Sequence, residues 1–104
     1  MGRNNEKGTK EDLCRYRLEI SKEDLRSAML LLEAGELRGA NNRAYYSIYH
    51  AISSVHALDG NAYKRHKDAL ANFNKAYVKT KIFSRELGRK ISEAVEIRHA
   101  SDYD

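Results

Sequence analysis

The fold of this chain is decided by residues 42–58, NRAYYSIYHAISSVHAL. At 100° per residue from Arg43, one apolar stripe lies between about 60° and 140° around the helix. It consists of Ala44, Ile48, Ala51, Val55 and Leu58. A helix with one apolar side buries that side against a neighbour, so this stretch predicts one helix of a bundle.

The same stretch carries a second stripe, called here the Arg43 stripe, which is small, polar and ionisable. It consists of Arg43, Ser47, His50, Ser54 and Ala57. A solvent-facing side would normally hold lysine and glutamate, but no lysine, glutamate or aspartate occurs between Arg43 and Ala57. We therefore expect another helix to cover this stripe, most economically from a second copy of the chain around a two-fold axis.

Three further periodic segments flank this helix. The first runs from Lys10 to about Ala34 and ends at Gly35, and the third covers about Tyr63 to Val78. Ser84 is a good N-cap for the fourth. The predicted inward positions are Leu18, Leu25, Met29 and Leu32 in the first, His66, Leu70, Phe73 and Tyr77 in the third, and Leu87, Ile91, Ala94 and Val95 in the fourth.

Composition favours helices joined by short turns. The chain has 104 residues, no proline and six glycines, which fall mostly between the periodic segments. This length suits one domain and is too short for two. The sequence therefore predicts an all-α protein, an up-and-down antiparallel bundle of four or five helices over residues 10–104, after a disordered leader at residues 1–9.

Several classes of protein are disfavoured. Cys14 is the only cysteine, and no secretory signal or membrane-length apolar run is present. We expect a soluble cytoplasmic protein that does not bind a membrane. His50 and His56 lie about 120° apart on a helix, and no clustered metal motif or glycine-rich phosphate loop occurs, so neither a metal nor a cofactor is expected.

Positive charge is concentrated in residues 62–90. This segment holds nine of the 19 lysines and arginines: Lys64, Arg65, Lys67, Lys75, Lys79, Lys81, Arg85, Arg89 and Lys90. Such a cluster could attract a polyanion such as RNA, whereas the alternative is a solvated surface that keeps the domain soluble.

Arg43 and His50 form a candidate reactive pair. They lie two helical turns apart, roughly 10 Å along the axis, so both could contact one phosphate. Histidine exchanges protons near neutral pH, and arginine suits phosphoryl charge. In a symmetric dimer, two arginines and two histidines would share a cleft. Alternatively, His50 is an ordinary interface histidine whose hydrogen bonds are satisfied, and Arg43 either extends to solvent or pairs with an acid on the first helix.

The candidate substrate-binding residues surround this pair. They are Asn42, Tyr46, Ser47, Lys64 and Arg65. Tyr46 lies beside the Arg43 stripe and is the better placed tyrosine for a nucleobase contact, although filling the dimer seam is an equal alternative.

Three segments together resemble one family. They are NNRAYYSIYHAISSVHALDG at 41–60, KRHKDALANFNKAYVKTKIF at 64–83 and EIRHASDYD at 96–104. From about Leu13 to Asp104 the chain is similar to the HEPN domain family, in its small stand-alone prokaryotic branch. The resemblance implies an α-helical bundle, commonly a homodimer, often encoded with a minimal nucleotidyltransferase as a toxin–antitoxin pair.

The resemblance also implies an activity, which is metal-independent RNA cleavage. The family signature is an arginine, four to six residues and then a histidine, and Arg43 and His50 match it at the upper limit. By that match, His50 would act on the ribose 2′-hydroxyl or the leaving oxygen, and Arg43 would steady the phosphoryl charge. The product would carry a 2′,3′-cyclic phosphate.

The chain departs from the family pattern at three points. Ala44 stands where active members often have a polar residue, and Ile52 replaces a tyrosine that receives a nucleotide in some members. Relatives usually continue beyond the DYD segment into a further helix. The alternative function is therefore a non-catalytic module that binds a nucleotidyltransferase or a nucleotide.

Overall fold

The computed structural model describes the backbone of residues 8–103 and the side chains of residues 8–101. Its four α-helices are α1 (Lys10–Glu33), α2 (Leu37–Leu58), α3 (His66–Phe73) and α4 (Arg85–Tyr103), and α3 continues into a π-helical segment, Asn74–Val78. The described residues contain no strand. The all-α prediction is confirmed, while the predicted leader lies outside the described residues except for positions 8 and 9.

The helix ends follow the local sequence. Thr9 and Asp12 form a capping box at the start of α1, in which each side chain accepts a hydrogen bond from the other residue's backbone N–H at 3.1 Å. Gly35 adopts a φ of +80° directly after α1, a conformation that glycine adopts without strain. Ser84 accepts a hydrogen bond from the backbone N–H of Leu87, which confirms the predicted start of α4.

The packing of α1 differs from the prediction. Leu18, Leu25, Met29 and Leu32 were expected to face inward, but 40%, 49%, 60% and 60% of their surfaces are exposed. We call these four residues the α1 apolar stripe. The buried positions of α1 are instead Ser21, Asp24 and Ala28. The prediction was wrong because it ranked positions by hydrophobicity, whereas α1 meets a polar stripe on α2 with polar groups of its own.

The hydrophobic core lies on the other side of α2. Ile52, Phe73, Tyr77 and Val78 form its buried centre, and Ile48, Val55, Leu70, Phe83 and Ile91 pack around them. Burial of each large apolar side chain contributes about 1.5–3 kcal/mol. The predicted inward positions Leu70, Phe73, Tyr77 and Ile91 are therefore confirmed, and α2 is the central helix, with α1 on one side and α3 and α4 on the other.

The cover of the Arg43 stripe comes from the same chain. Ser47, Ser54 and Ala57 are only 8%, 4% and 2% exposed. The hydroxyl groups of Ser21 and Ser47 contact each other across α1 and α2 at 3.2 Å. The prediction that another helix covers the stripe is confirmed, but the prediction that this helix belongs to a second copy is wrong at these positions.

Within residues 8–103, none of the helices combines the length and the apolar character needed to span a membrane.

Candidate functional site

Asp24 joins the two residues of the candidate pair. One oxygen of its carboxylate, Oδ1, lies 2.9 Å from Nη1 of Arg43, and the other, Oδ2, lies 2.8 Å from Nδ1 of His50. Arg43 and His50 stand two turns apart on α2, and Asp24 projects between them from the facing side of α1. The carboxylate therefore holds both side chains on one side of α2.

Hydrogen bonds between main chain and serine hydroxyls bring the two helices close beside this site. The Ser21 hydroxyl donates to the carbonyl of Ser47 at 2.6 Å, and the Ser47 hydroxyl donates to the carbonyl of Ser21 at 2.8 Å. Farther along, Nη1 of Arg17 donates to the carbonyl of Ser53 at 3.1 Å. Small side chains allow this approach, which places Asp24 within reach of its two partners.

The three side chains differ in their access to solvent. That of Asp24 is 11% exposed, whereas those of Arg43 and His50 are 38% and 29% exposed. The carboxylate is thus largely covered, and the two nitrogen-bearing groups still reach the surface. With Nδ1 of His50 bonded to Asp24, the other ring nitrogen, Nε2, has no hydrogen-bond partner among the described residues.

Aromatic rings and a further arginine flank the pair. The Arg43 guanidinium lies 5.0 Å from the centroid of the Tyr46 ring, and Tyr46 lies 6.1 Å from the His50 ring. From α4, Arg98 lies 4.5 Å from the Tyr45 ring and 5.5 Å from the Tyr46 ring. These cation–π contacts hold α4 against Tyr45 and Tyr46, next to the pair.

His66 lies beside the candidate site, a position that the sequence reasoning did not predict. It was expected to face inward from the third helix, and it is half-buried against α2 at the start of α3, which agrees with that expectation. The Tyr49 ring stacks on it at 3.9 Å, and its Nδ1 lies 3.0 Å from the Tyr45 hydroxyl. The position of His66 depends on the course of the loop between α2 and α3, which the sequence does not reveal. The run of tyrosines on α2 was the only sequence signal for an aromatic cluster here.

Two groups of this cluster have shifted pKa values. Burial lowers the pKa of His66 from its usual 6.5, and the nearby charges of Arg98 and His50 lower it further. Burial also raises the pKa of Tyr45 above 10.0, although Arg98 opposes that shift. Both effects favour the neutral form of each side chain.

A cavity of about 220 Å³ opens beside His50. Its walls include Arg17, Tyr49, Ser53 and Tyr63, so it combines aromatic surfaces with polar groups. His56 also lines it and is only 2% exposed. The Nε2 of His56 contacts the carbonyl of Ala69 at 2.9 Å, which anchors α3 to α2.

The predicted substrate-binding residues do not all reach the site. Tyr46 and Asn42 are half-buried on α2, and Lys64 and Arg65 are exposed in the loop before α3, where Arg65 pairs with Asp68 at 3.7 Å. Ser47 is buried, and its hydroxyl is used in holding α1. We therefore leave Ser47 out of the candidate substrate contacts.

The described part of the chain contains no cluster of metal-binding side chains. Within residues 8–103, no three histidine, cysteine, aspartate or glutamate side chains lie together as a metal site would require.

Comparisons with known proteins agree with this picture. The HEPN domain model matches residues 14–104. A "UPF0332 protein" of Thermotoga maritima is 34% identical over 94 residues, which cover 90% of this chain and 71% of that protein. A second "UPF0332 protein", from Pyrococcus horikoshii, is 32% identical over 77 residues, 74% of this chain and 54% of its own length.

A third relative, from Methanocaldococcus jannaschii, carries the name "Putative toxin MJ0605". It is 29% identical over 86 residues, which cover 83% of this chain and 64% of that protein. No solved structure matches the chain. This chain thus spans between about half and three quarters of the length of these relatives.

Fold and site define an all-α protein in which arginine, histidine and aspartate side chains meet between two antiparallel helices. Because the family model covers most of its length, the chain belongs to the HEPN domain family.

Proposed function

We propose that this protein is a metal-independent endoribonuclease in which Arg43 and His50 act on one phosphate of RNA. The observation that carries the proposal is the convergence of both groups on Asp24 while about a third of each side chain stays exposed. An ion pair with only a structural role gains nothing from this exposure, since solvent screens it. A pair that binds a phosphate needs this exposure, because the substrate must reach both side chains.

The chemistry follows from the two groups. The guanidinium of Arg43 can donate to two phosphoryl oxygens and stabilise the charge that develops there. The imidazole of His50 can transfer a proton to or from an oxygen at the phosphorus. With the ribose 2′-hydroxyl as nucleophile, the products are a 2′,3′-cyclic phosphate and a 5′-hydroxyl.

The surroundings suit RNA as the substrate. Tyr46 and Tyr49 offer aromatic faces near His50, and unpaired RNA bases stack on such rings. Lys64 and Arg65 are exposed near the start of α3, where they can contact neighbouring phosphates.

We further propose a homodimer whose interface includes the α1 apolar stripe. Its four side chains are 40–60% exposed in the single chain, although together they form one apolar side of α1. Exposed apolar patches of this kind mark interaction surfaces. We therefore expect the dimer contact on α1 rather than on the Arg43 stripe.

The biological setting we propose is a toxin–antitoxin pair, with this protein as the toxin and a minimal nucleotidyltransferase as its antitoxin. Support for the toxin role comes from the name of the Methanocaldococcus jannaschii relative. The nucleotidyltransferase partner rests on the family resemblance alone. The cytoplasmic location rests on the cysteine content, since Cys14 is the only cysteine.

Incubation of the purified protein with RNA in excess EDTA tests the activity. We expect cleavage by the wild type and a loss of about 100-fold or more in His50→Ala and His50→Gln, the usual contribution of one proton-transfer group. His99→Ala is the matched control, because His99 is an exposed histidine on α4. Undiminished cleavage by a folded His50 variant would refute the proposal.

One observation favours a second candidate, a non-catalytic module that binds a nucleotidyltransferase or a nucleotide. Arg43 and His50 are each already paired with Asp24, as they would be if their role were only structural. In that case the wild type should cleave no RNA. Arg43→Gln and His50→Gln should instead change the oligomeric state or the binding of the nucleotidyltransferase, as measured by light scattering.

A further inference from the structure

We propose that His66 is the general base and His50 the general acid of the cleavage, so that one chain supplies both proton transfers. This inference rests on the proposed ribonuclease function. It names the group that takes the proton from the 2′-hydroxyl, whereas the sequence analysis expected His50 to act on either the 2′-hydroxyl or the leaving oxygen.

The two histidines lie around the same pair of tyrosines. The Tyr49 ring is 3.9 Å from His66 and 5.8 Å from His50. The Tyr46 ring is 5.6 Å from His66 and 6.1 Å from His50. The start of α3 and the middle of α2 therefore present two imidazoles to one region, although sixteen positions separate them in sequence.

Their hydrogen-bond partners suit opposite proton states. Nδ1 of His50 contacts the Asp24 carboxylate, which can neutralise an imidazolium. Nδ1 of His66 contacts the Tyr45 hydroxyl, which carries no charge while its phenol is protonated. Burial, Arg98 and His50 all lower the pKa of His66, which keeps it neutral at neutral pH. Paired groups in such different environments are a common basis for acid and base roles.

The reacting nitrogen of each ring is left available. Neither Nε2 atom has a hydrogen-bond partner among the described residues. In the tautomer with its proton on Nδ1, His66 donates to the Tyr45 oxygen and carries the lone pair of a base on Nε2. The protonated His50 donates to Asp24 through Nδ1 and carries its transferable proton on Nε2.

The step balances without a further reactant. Nε2 of His66 takes the 2′-hydroxyl proton as the 2′-oxygen forms its bond to phosphorus. The bond from phosphorus to the 5′-oxygen breaks, and that oxygen takes the proton from Nε2 of His50. Arg43 stabilises the phosphoryl oxygens, and exchange with water returns both histidines to their starting states.

Any effect of pH on His66 also involves its charged and titratable neighbours. Those facing it are Tyr45, Tyr46, Tyr49 and His50 on α2 and Arg98 on α4, with Asp24 behind His50. Arg65 precedes it in the chain, and Lys67 and Asp68 are the next two residues.

A substrate that needs no acid separates the two roles. An oligoribonucleotide is prepared with sulfur in place of the bridging 5′-oxygen at the bond that the wild type cuts, because a thiolate leaves without protonation. His50→Ala should lose about 100-fold or more on ordinary RNA and recover most of that rate on the sulfur substrate. His66→Ala should lose about 100-fold on both, and His99→Ala should match the wild type on both.

A second variant guards against a folding effect. His66→Gln keeps a polar side chain beside Tyr45, and its fold is checked by circular dichroism. In the pH profile of kcat/KM on the sulfur substrate, the fall in rate on the acid side should be present in the wild type and absent in His66→Gln.

The outcomes are distinguishable. Full activity of His66→Ala, or its rescue by the sulfur substrate, would overturn the assignment of His66 as base and leave the ribonuclease proposal standing. Absence of cleavage of either substrate by the wild type would overturn both proposals.

Discussion

Replacement of Asp24 by asparagine should show how strongly the site is held together. Asparagine keeps the size of the side chain but removes the charge that Arg43 and His50 share at 2.9 and 2.8 Å. A hydrogen bond to a charged group contributes about 1.5–3 kcal/mol. Because the two partners are 38% and 29% exposed, solvent screening reduces each contact to about 1 kcal/mol.

We therefore expect Asp24→Asn to lower the free energy of unfolding by about 2 kcal/mol, or Tm by about 8–15 °C for a domain of this size. The assay is urea unfolding at neutral pH, followed by far-UV circular dichroism. Glu23→Gln is the matched control, because Glu23 is the exposed acidic neighbour on the same helix. It should change the free energy by no more than about 0.5 kcal/mol.

A double-mutant cycle with Arg43→Gln isolates the contact. We expect the two substitutions together to cost about 1 kcal/mol less than the sum of the single effects, since either one already breaks the ion pair. Strict additivity, or an Asp24→Asn variant as stable as the wild type, would show that Asp24 does not hold the pair.

Three further predictions concern other parts of the molecule. Ser47→Leu should destabilise the fold by several kcal/mol in urea unfolding, because Ser47 is 8% exposed where α1 approaches α2, whereas Ser53→Leu, at a half-buried neighbouring position, should cost clearly less. Leu25→Lys with Met29→Lys should lower the mass measured by light scattering, whereas an unchanged monomer in wild type and variant would argue against the proposed dimer contact. Because the pKa of His66 is lowered in the folded state, the contribution of His66 to the free energy of unfolding is fully present above about pH 6.5 and is lost as the pH falls below that value. His66→Gln should therefore flatten the curve of unfolding free energy against pH in this range.

Sequence periodicity was sufficient for the helices and for the core on one side of α2. Leu70, Phe73, Tyr77 and Ile91 recur at helical spacing, and they pack where that spacing predicts. The end of α1 at Gly35 and the start of α4 at Ser84 were also predictable from the sequence, because each depends on a local backbone conformation or a local hydrogen bond.

The same reasoning failed for α1. Leu18, Leu25, Met29 and Leu32 have the spacing of a buried stripe, yet Ser21, Asp24 and Ala28 are the residues that α2 covers. Hydrophobicity alone predicts that a serine or an aspartate is exposed. Such a side chain can be buried when it has a hydrogen-bond or charge partner, and the sequence does not show that partner. The partners of Ser21 and Asp24 lie on α2, 19–26 positions away.

The candidate site was therefore predicted in part. Arg43 and His50 were identified by their spacing, and the alternative that Arg43 pairs with an acid of the first helix agrees with its contact to Asp24. His66 was missed because its place depends on the course of residues 59–65, where no regular period guides prediction. Tertiary contacts of this kind require the three-dimensional arrangement of the helices.

The two serines that exchange hydrogen bonds across α1 and α2 also fix the register of these helices. A slip of α1 by one turn would move Asp24 about 5.4 Å along α2 and out of reach of at least one of its partners. Each hydroxyl donates to the carbonyl of the other serine, so sliding of α1 along α2 would break both hydrogen bonds. A lengthwise shift of α1 would therefore separate Asp24 from Arg43 or His50 without any change in those side chains themselves.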